Sequence, residues 1–135
     1  MADPLTLRAY EIVVYAADVD RATVFYRDVL QLRQIDGPDQ HSAALRLGDD
    51  SVLLIFDPAR ASEAGRAVPA HGALGAGHVA FAVGSGELER WRRRLAELGV
   101  PIEQEQRWGD HGESLYFRDP AGNSVELLEG EIWAP

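Results

Sequence analysis

A chain of 135 residues, 46% apolar and 26% charged, is long enough for one domain with a sizeable buried core. Its net charge of −9 argues against nucleic acid as a partner, and the absence of Cys excludes disulfides, thiolate metal sites and cysteine nucleophiles. All 13 basic residues are Arg, which leaves no side-chain amine for Schiff-base chemistry. Met1–Arg8 has no basic segment followed by a long apolar run, and no stretch approaches the roughly 20 apolar residues of a membrane span. The expected setting is therefore the cytoplasm, with no membrane partner.

Residues 9–16 alternate and are rich in β-formers, which predicts a strand. Asp18 is a suitable N-cap for a helix running to about Leu32, with Ala22, Phe25, Val29 and Leu32 inward. Ala43–Leu47 and Ser51–Phe56 are short strands joined by the hairpin-like turn Gly48-Asp49-Asp50. Residues from about 58 to 76, rich in Ala, Gly and Pro, form a linker. The pattern then restarts with a strand over Gly77–Val83. Ser85 can cap a helix from about Glu87 to Leu98, with Leu88, Trp91, Leu95 and Leu98 on one stripe. Gly99 suits the position just past that helix, and Pro101 discourages continuation. Ile102–Trp108, Ser114–Phe117 and Ser124–Leu128 are further strands, the last two joined by Asp119-Pro120-Ala121-Gly122-Asn123, a strong turn signal. Arg118 and Asp119 in that turn have a structural role.

Two copies of one strand–helix–strands unit account for this order, with module one at about 9–57 and module two at about 77–130 within a single domain over 1–135. Laying the first strand over its repeat places Glu11 on His78, and laying Ser51–Ile55 over Ser124–Leu128 places Glu126 on Leu53. Side chains alternate across a strand, so Glu11 and Tyr15 share one face of the first strand. By the same rule His78, Ser114, Tyr116 and Glu126 lie opposite the bulky faces of the later strands, beside small Ala80 and Ala82. A sheet face with small residues and a few polar groups describes a cavity better than a core. Each of Glu11, His78 and Glu126 alone has an ordinary explanation as a surface or structural residue. Three of them at repeat-related strand positions point to a shared divalent cation, because lone charges are costly to bury.

The stretches Asp18–Leu30, Gly77–Phe81 and Ser114–Leu127, the last containing Phe117-Arg118-Asp119-Pro120-Ala121-Gly122-Asn123, make the chain recognisable. It resembles the vicinal oxygen chelate superfamily of glyoxalase I, fosfomycin resistance enzymes, extradiol dioxygenases and bleomycin resistance proteins. The resemblance spans residues 9–130 and implies an α+β fold of two βαβββ modules forming an open, cup-shaped barrel around a metal. It also implies a homodimer. Carried onto this chain, the metal ligands are Glu11, His78 and Glu126, and the fourth position of glyoxalase I falls on Leu53, which cannot ligate.

Three protein ligands with open positions are the general form of a catalytic metal site, and one imidazole with two carboxylates suits Zn, Ni, Mn, Fe or Co without choosing between them. The expected function is that of a glyoxalase-like lyase or isomerase acting on a small oxygen-chelating substrate. Glu126 or Glu11 would serve as general base, and Tyr15, Trp108, Tyr116 and Ser114 would line the substrate. Thiol transfer to an epoxide antibiotic is a variant on the same metal. Two alternatives remain. A bleomycin-type binding protein would use the acidic cup and its aromatic residues without chemistry, and an extradiol-type dioxygenase normally uses two His and one carboxylate. His71, His111 and Arg107 are expected to be exposed loop or strand-end residues.

Overall fold

A computed structural model describes residues 3–39 and 41–133; the expected domain limits at 1 and 135, and the first residues of the segment read for a leader, lie outside them. The first module comprises β1 (Glu11–Tyr15), α1 (Val19–Val24), β2 (Arg33–Asp36), β3 (Ser42–Leu47) and β4 (Ser51–Phe56). A short helix, α2 (Pro58–Ala61), follows within the linker. The second module comprises β5 (His78–Val83), α3 (Leu88–Glu97), β6 (Gln104–Arg107), β7 (Gly112–Arg118) and β8 (Ser124–Gly130). Each module is thus βαβββ, as the repeat implies, and the fold is α+β.

Asp18 caps α1 as expected, its carboxylate accepting from the Arg21 amide at 3.0 Å. The α-helix is shorter than expected because Phe25–Val29 widens into a π-helical turn. Gln31 then takes φ 62, a left-handed conformation that stops the helix before Leu32. The strand β2 was not visible in the sequence, since Arg33-Gln34-Ile35-Asp36 is mostly polar and its pairing with β3 is irregular between Gln34 and Asp36. At α3 the expected Ser85 cap gives way to two glutamates. Glu87 accepts from the Gly84 amide at 2.9 Å, and Glu129 of β8 accepts from the Leu88 amide at 3.0 Å. The sheet delivers Glu129 to the helix end, which local sequence cannot foretell. Gly99 sits past the end of α3 at φ 70, and the Val100 amide returns to the Leu95 carbonyl at 2.8 Å.

Each module builds one mixed four-stranded sheet, in the orders β1-β4-β3-β2 and β5-β8-β7-β6, and neither sheet closes into a barrel. The pairs β1–β4 and β5–β8 are parallel, as a strand–crossover–strand unit requires. One apolar cluster serves both modules: Val14, Leu45, Leu53 and Ile55 from the first sheet join Val79, Leu115, Phe117, Val125 and Leu127 from the second. Phe25 bridges the modules, its ring 6.2 Å from that of Phe117. Phe25 and Trp91, expected in the core, pack partly buried against its edge, while the adjacent Tyr26 is fully buried. The opposite face of each sheet points away from this shared core and carries the polar side chains.

The turn Asp119–Asn123 ties the modules together. The buried Asp119 carboxylate accepts from the Tyr26 hydroxyl at 2.7 Å, from the amides of Ala121 and Asn123 at 2.9 Å each, and from Asn123 Nδ2 at 2.9 Å. Asn123 in turn donates to the Tyr15 carbonyl at 3.1 Å and accepts from the Gly77 amide at 2.8 Å. Arg118 bonds the Gly122 carbonyl and Glu103 across the hairpin. This part of the sequence motif is architecture, as expected.

Candidate metal centre

The parallel pairing of β5 with β8 places Ala80 opposite Glu126, with His78 one pleat earlier on the same face. His78, opposite Ser124, and Glu126 are diagonal neighbours across the two strands. The His78 Nε2 lies 3.2 Å from Glu126 Oε1. The other ring nitrogen, Nδ1, lies 3.1 Å from the Ser124 carbonyl. A carbonyl only accepts, so Nδ1 carries the hydrogen, and Nε2 is the ring nitrogen turned to the carboxylate oxygen. Two lone-pair donors at that separation are favourable only with a cation or a proton between them. The distance is also that of two neighbouring ligands each about 2.1 Å from one ion. The donor chemistry therefore fits a divalent metal, with Nδ1 anchored outside the site in the manner of a metal-bound histidine.

The second oxygen of Glu126 is held by the fold. Ser114, from β7, donates to Oε2 at 2.6 Å, and Trp108 Nε1 donates to Ser114 Oγ at 2.9 Å. Glu126 is only 6% exposed and Ser114 is fully buried, so these bonds offset the desolvation of the carboxylate. Tyr116 stacks on His78 with ring centroids 6.3 Å apart. Partial burial, and then the nearby Glu126 charge, push its phenol above the usual tyrosine range.

Trp108, Ser114, Tyr116, His78 and Glu126 thus gather on the second sheet. Glu11 and Tyr15 lie on the corresponding face of the first sheet. Among the described residues no group of three His, Asp or Glu side chains is placed to hold a metal ion, so Glu11 does not join His78 and Glu126 within one chain. The physical reason is the shared core: both sheets turn their apolar faces to it, which directs their polar faces apart. Tyr15 has a different partner from any foreseen. Its hydroxyl lies 2.7 Å from Nδ1 of His71, whose ring also sits edge-on to Phe56 at 4.7 Å. His71 is therefore pinned on the sheet rather than free in its loop; a lone histidine in an Ala/Gly/Pro-rich linker was the only sequence signal.

Strand pairing corrects the fourth ligand position. Glu126 pairs with Ala80, two residues beyond His78. In the first module the residue two beyond Glu11 is Val13, and its partner is Leu54. Leu53 instead pairs with Ile12 and is fully buried in the core. The ungapped overlay was one residue out, and one residue reverses the face. The position still holds a leucine, so it supplies no ligand.

A separate crevice of about 180 Å³ lies between the modules, lined by Leu30, Leu47, Phe81, Trp91 and Leu127 with Glu87 beside it. It is apolar and holds none of the groups above.

The family model of the Glyoxalase/Bleomycin resistance protein/Dioxygenase superfamily matches residues 9–127. A crystal structure described as lactoylglutathione lyase from Agrobacterium tumefaciens superposes with a TM-score of 0.89 at 37% identity, covering 99% of this chain and 100% of that one. Glutathione transferase FosA of Serratia marcescens is 29% identical over 123 residues, which is 91% of this chain and 81% of that protein. MhqE of Bacillus subtilis, a candidate ring-cleaving dioxygenase, is 28% identical over 128 residues, and the chain spans only 40% of its length. The two βαβββ modules and the full-length match agree, and the chain belongs to the Glyoxalase/Bleomycin resistance protein/Dioxygenase superfamily.

Proposed function

We propose that this protein is a metal-dependent lyase or isomerase of the glyoxalase type, acting on a small substrate that offers two neighbouring oxygens. Its site is completed in a homodimer, where His78 and Glu126 of one protomer face Glu11 of the partner subunit. The observation that carries this is the His78–Glu126 pair at 3.2 Å, an imidazole nitrogen set against a carboxylate whose other oxygen is already bonded. The outward polar faces support the dimer: Glu11 is exposed and separated from the pair, and a second copy can bring it there. The similarity to the Agrobacterium tumefaciens protein supports a lyase over the other activities in the family.

When bound, the ion supplies Lewis acidity toward the substrate oxygens. The chain's own residues do the rest. Tyr116 and Ala80 shape the wall beside the pair, and in the homodimer Tyr15 of the partner subunit lies on the facing sheet. A glutamate takes the proton from the substrate carbon and returns it to the neighbouring one, a rearrangement that conserves all atoms. Thiol transfer to an epoxide is a second reading, favoured by the match to FosA over most of that protein's length.

Metal content of protein purified without chelator tests the centre, with Glu126→Ala as the control. Bound metal in the parent, lost in the variant with its circular dichroism unchanged, is the expected result. Equal metal content in both would overturn the assignment. Turnover of thiol adducts of α-ketoaldehydes, set against thiol addition to epoxides, then decides between the two reactions. A metal-free protein that stays inactive with Zn, Ni, Mn or Fe(II) would point to a sequestering role instead.

A further inference from the structure

We propose that Trp108 is a positioning residue for Glu126, acting through Ser114, rather than a platform on which substrate stacks. The inference rests on the metal centre proposed above. An indole nitrogen can only donate, and a serine hydroxyl has a single proton. With Trp108 Nε1–H donating to Ser114 Oγ at 2.9 Å, the Ser114 proton is directed to Glu126 Oε2 at 2.6 Å. The direction of the relay is fixed by chemistry at its outer end. Oε2 is therefore anchored to the fold, and Oε1, the atom facing His78, is the oxygen presented to an ion.

The anchor is tied to the β6–β7 turn through its backbone. Trp108 directly follows β6, and its amide donates to the Gly112 carbonyl at 2.8 Å while its carbonyl accepts from the His111 amide at 3.0 Å. The side chain is 36% exposed, with its polar atom turned inward to a fully buried hydroxyl. Glu126 would thereby offer an ion its Oε1 at a fixed position. Glu11 makes no side-chain hydrogen bond among the described residues and is exposed. Of the two glutamates, Glu126 is the one that the fold holds in place.

Cobalt(II) titration of the metal-free protein, followed by calorimetry and by the visible spectrum of the bound ion, tests the relay. Trp108→Phe keeps the aromatic surface and removes the donor. It is expected to weaken cobalt binding about 10- to 100-fold and to change the spectrum. Trp108→His, which restores a ring N–H, is expected to recover much of the loss, and Ser114→Ala to reproduce it. Trp108→Phe with parent affinity and spectrum, and only a raised KM, would overturn the proposal in favour of stacking.

A readout on metal-free protein separates this failure from failure of the metal centre. The indole N–H proton resonance of Trp108 should be protected from exchange and should shift in Ser114→Ala. If the parent binds no cobalt yet shows that shift, the relay stands and the metal centre falls. If the resonance exchanges freely and ignores Ser114→Ala, the relay is refuted whatever the metal content.

Discussion

Replacing Asp119 by Ala should be among the most destabilising single changes in this chain. The substitution removes an acceptor for four donors, and one of them, the Tyr26 hydroxyl, belongs to a residue with no exposed surface. An orphaned buried hydroxyl costs about 1–3 kcal/mol, and the lost charge-assisted bonds in the turn add a comparable amount. A total of about 3–5 kcal/mol follows, a large share of the roughly 5–15 kcal/mol available to a domain. At about 2.1 cal/mol/K per residue of unfolding entropy, this lowers Tm by about 10–18 °C. Thermal and urea unfolding measure it directly. The mechanism makes a sharper demand through Tyr26→Phe, which should cost only about 1–2 kcal/mol because Asp119 keeps its other donors. In the double variant the orphan no longer exists, so the two losses should fall short of additivity by at least about 1 kcal/mol. A Tm drop below about 3 °C for Asp119→Ala, or strictly additive losses, would refute the claim that this carboxylate is a buried node.

Burial, and then the Asp119 charge, raise the Tyr26 phenol far above its ordinary value. Its stabilising contribution is complete below about pH 10, where the unfolded chain also keeps the proton, and is lost at about 1.4 kcal/mol per pH unit above that. Of the four tyrosines, Tyr26 should therefore ionise only on alkaline unfolding, as tyrosinate absorbance with and without Tyr26→Phe will show. Co-refolding Glu11→Ala with Glu126→Ala chains should regenerate about a quarter of the parent metal sites, because half the dimers are mixed and each carries one intact cross-chain site. No recovery, with mixed dimers demonstrated, would place the site within one chain. Chelator treatment of the metal-loaded parent should lower its Tm, and the same treatment of Glu126→Ala should not. Gly130 adopts φ 114 opposite Gly112, and a methyl group there would meet the His111 carbonyl; Gly130→Ala is expected to cost about 2–4 kcal/mol in urea unfolding.

Much of the fold was legible because it is written locally and twice. Alternation in Glu11–Tyr15 and His78–Val83, the Asp18 cap and the Asp119–Asn123 turn each depend on side chains close in sequence. What escaped has a common cause in long-range contact. Polar β2 is a strand only because β3 offers it a partner. Glu129 displaces Ser85 at the start of α3 because a sheet brings it across 41 positions. His71 is fixed by Tyr15 and Phe56, and nothing near it in the linker announces them.

Sequence alone determined that there are two copies of one strand–helix–strands module, and which face of each strand carries Glu11, His78 and Glu126. Periodicity and an internal repeat suffice for both. Tertiary structure decided which of those groups meet. The β5–β8 register sets His78 against Glu126, and one residue of slip would have buried the glutamate in the core. It also decided that Glu11 stands apart, because the two sheets share one apolar core and must turn their polar faces away from it. Strand pattern fixes orientation relative to a sheet, whereas convergence depends on how sheets pack, and that balance is struck between residues far apart along the chain.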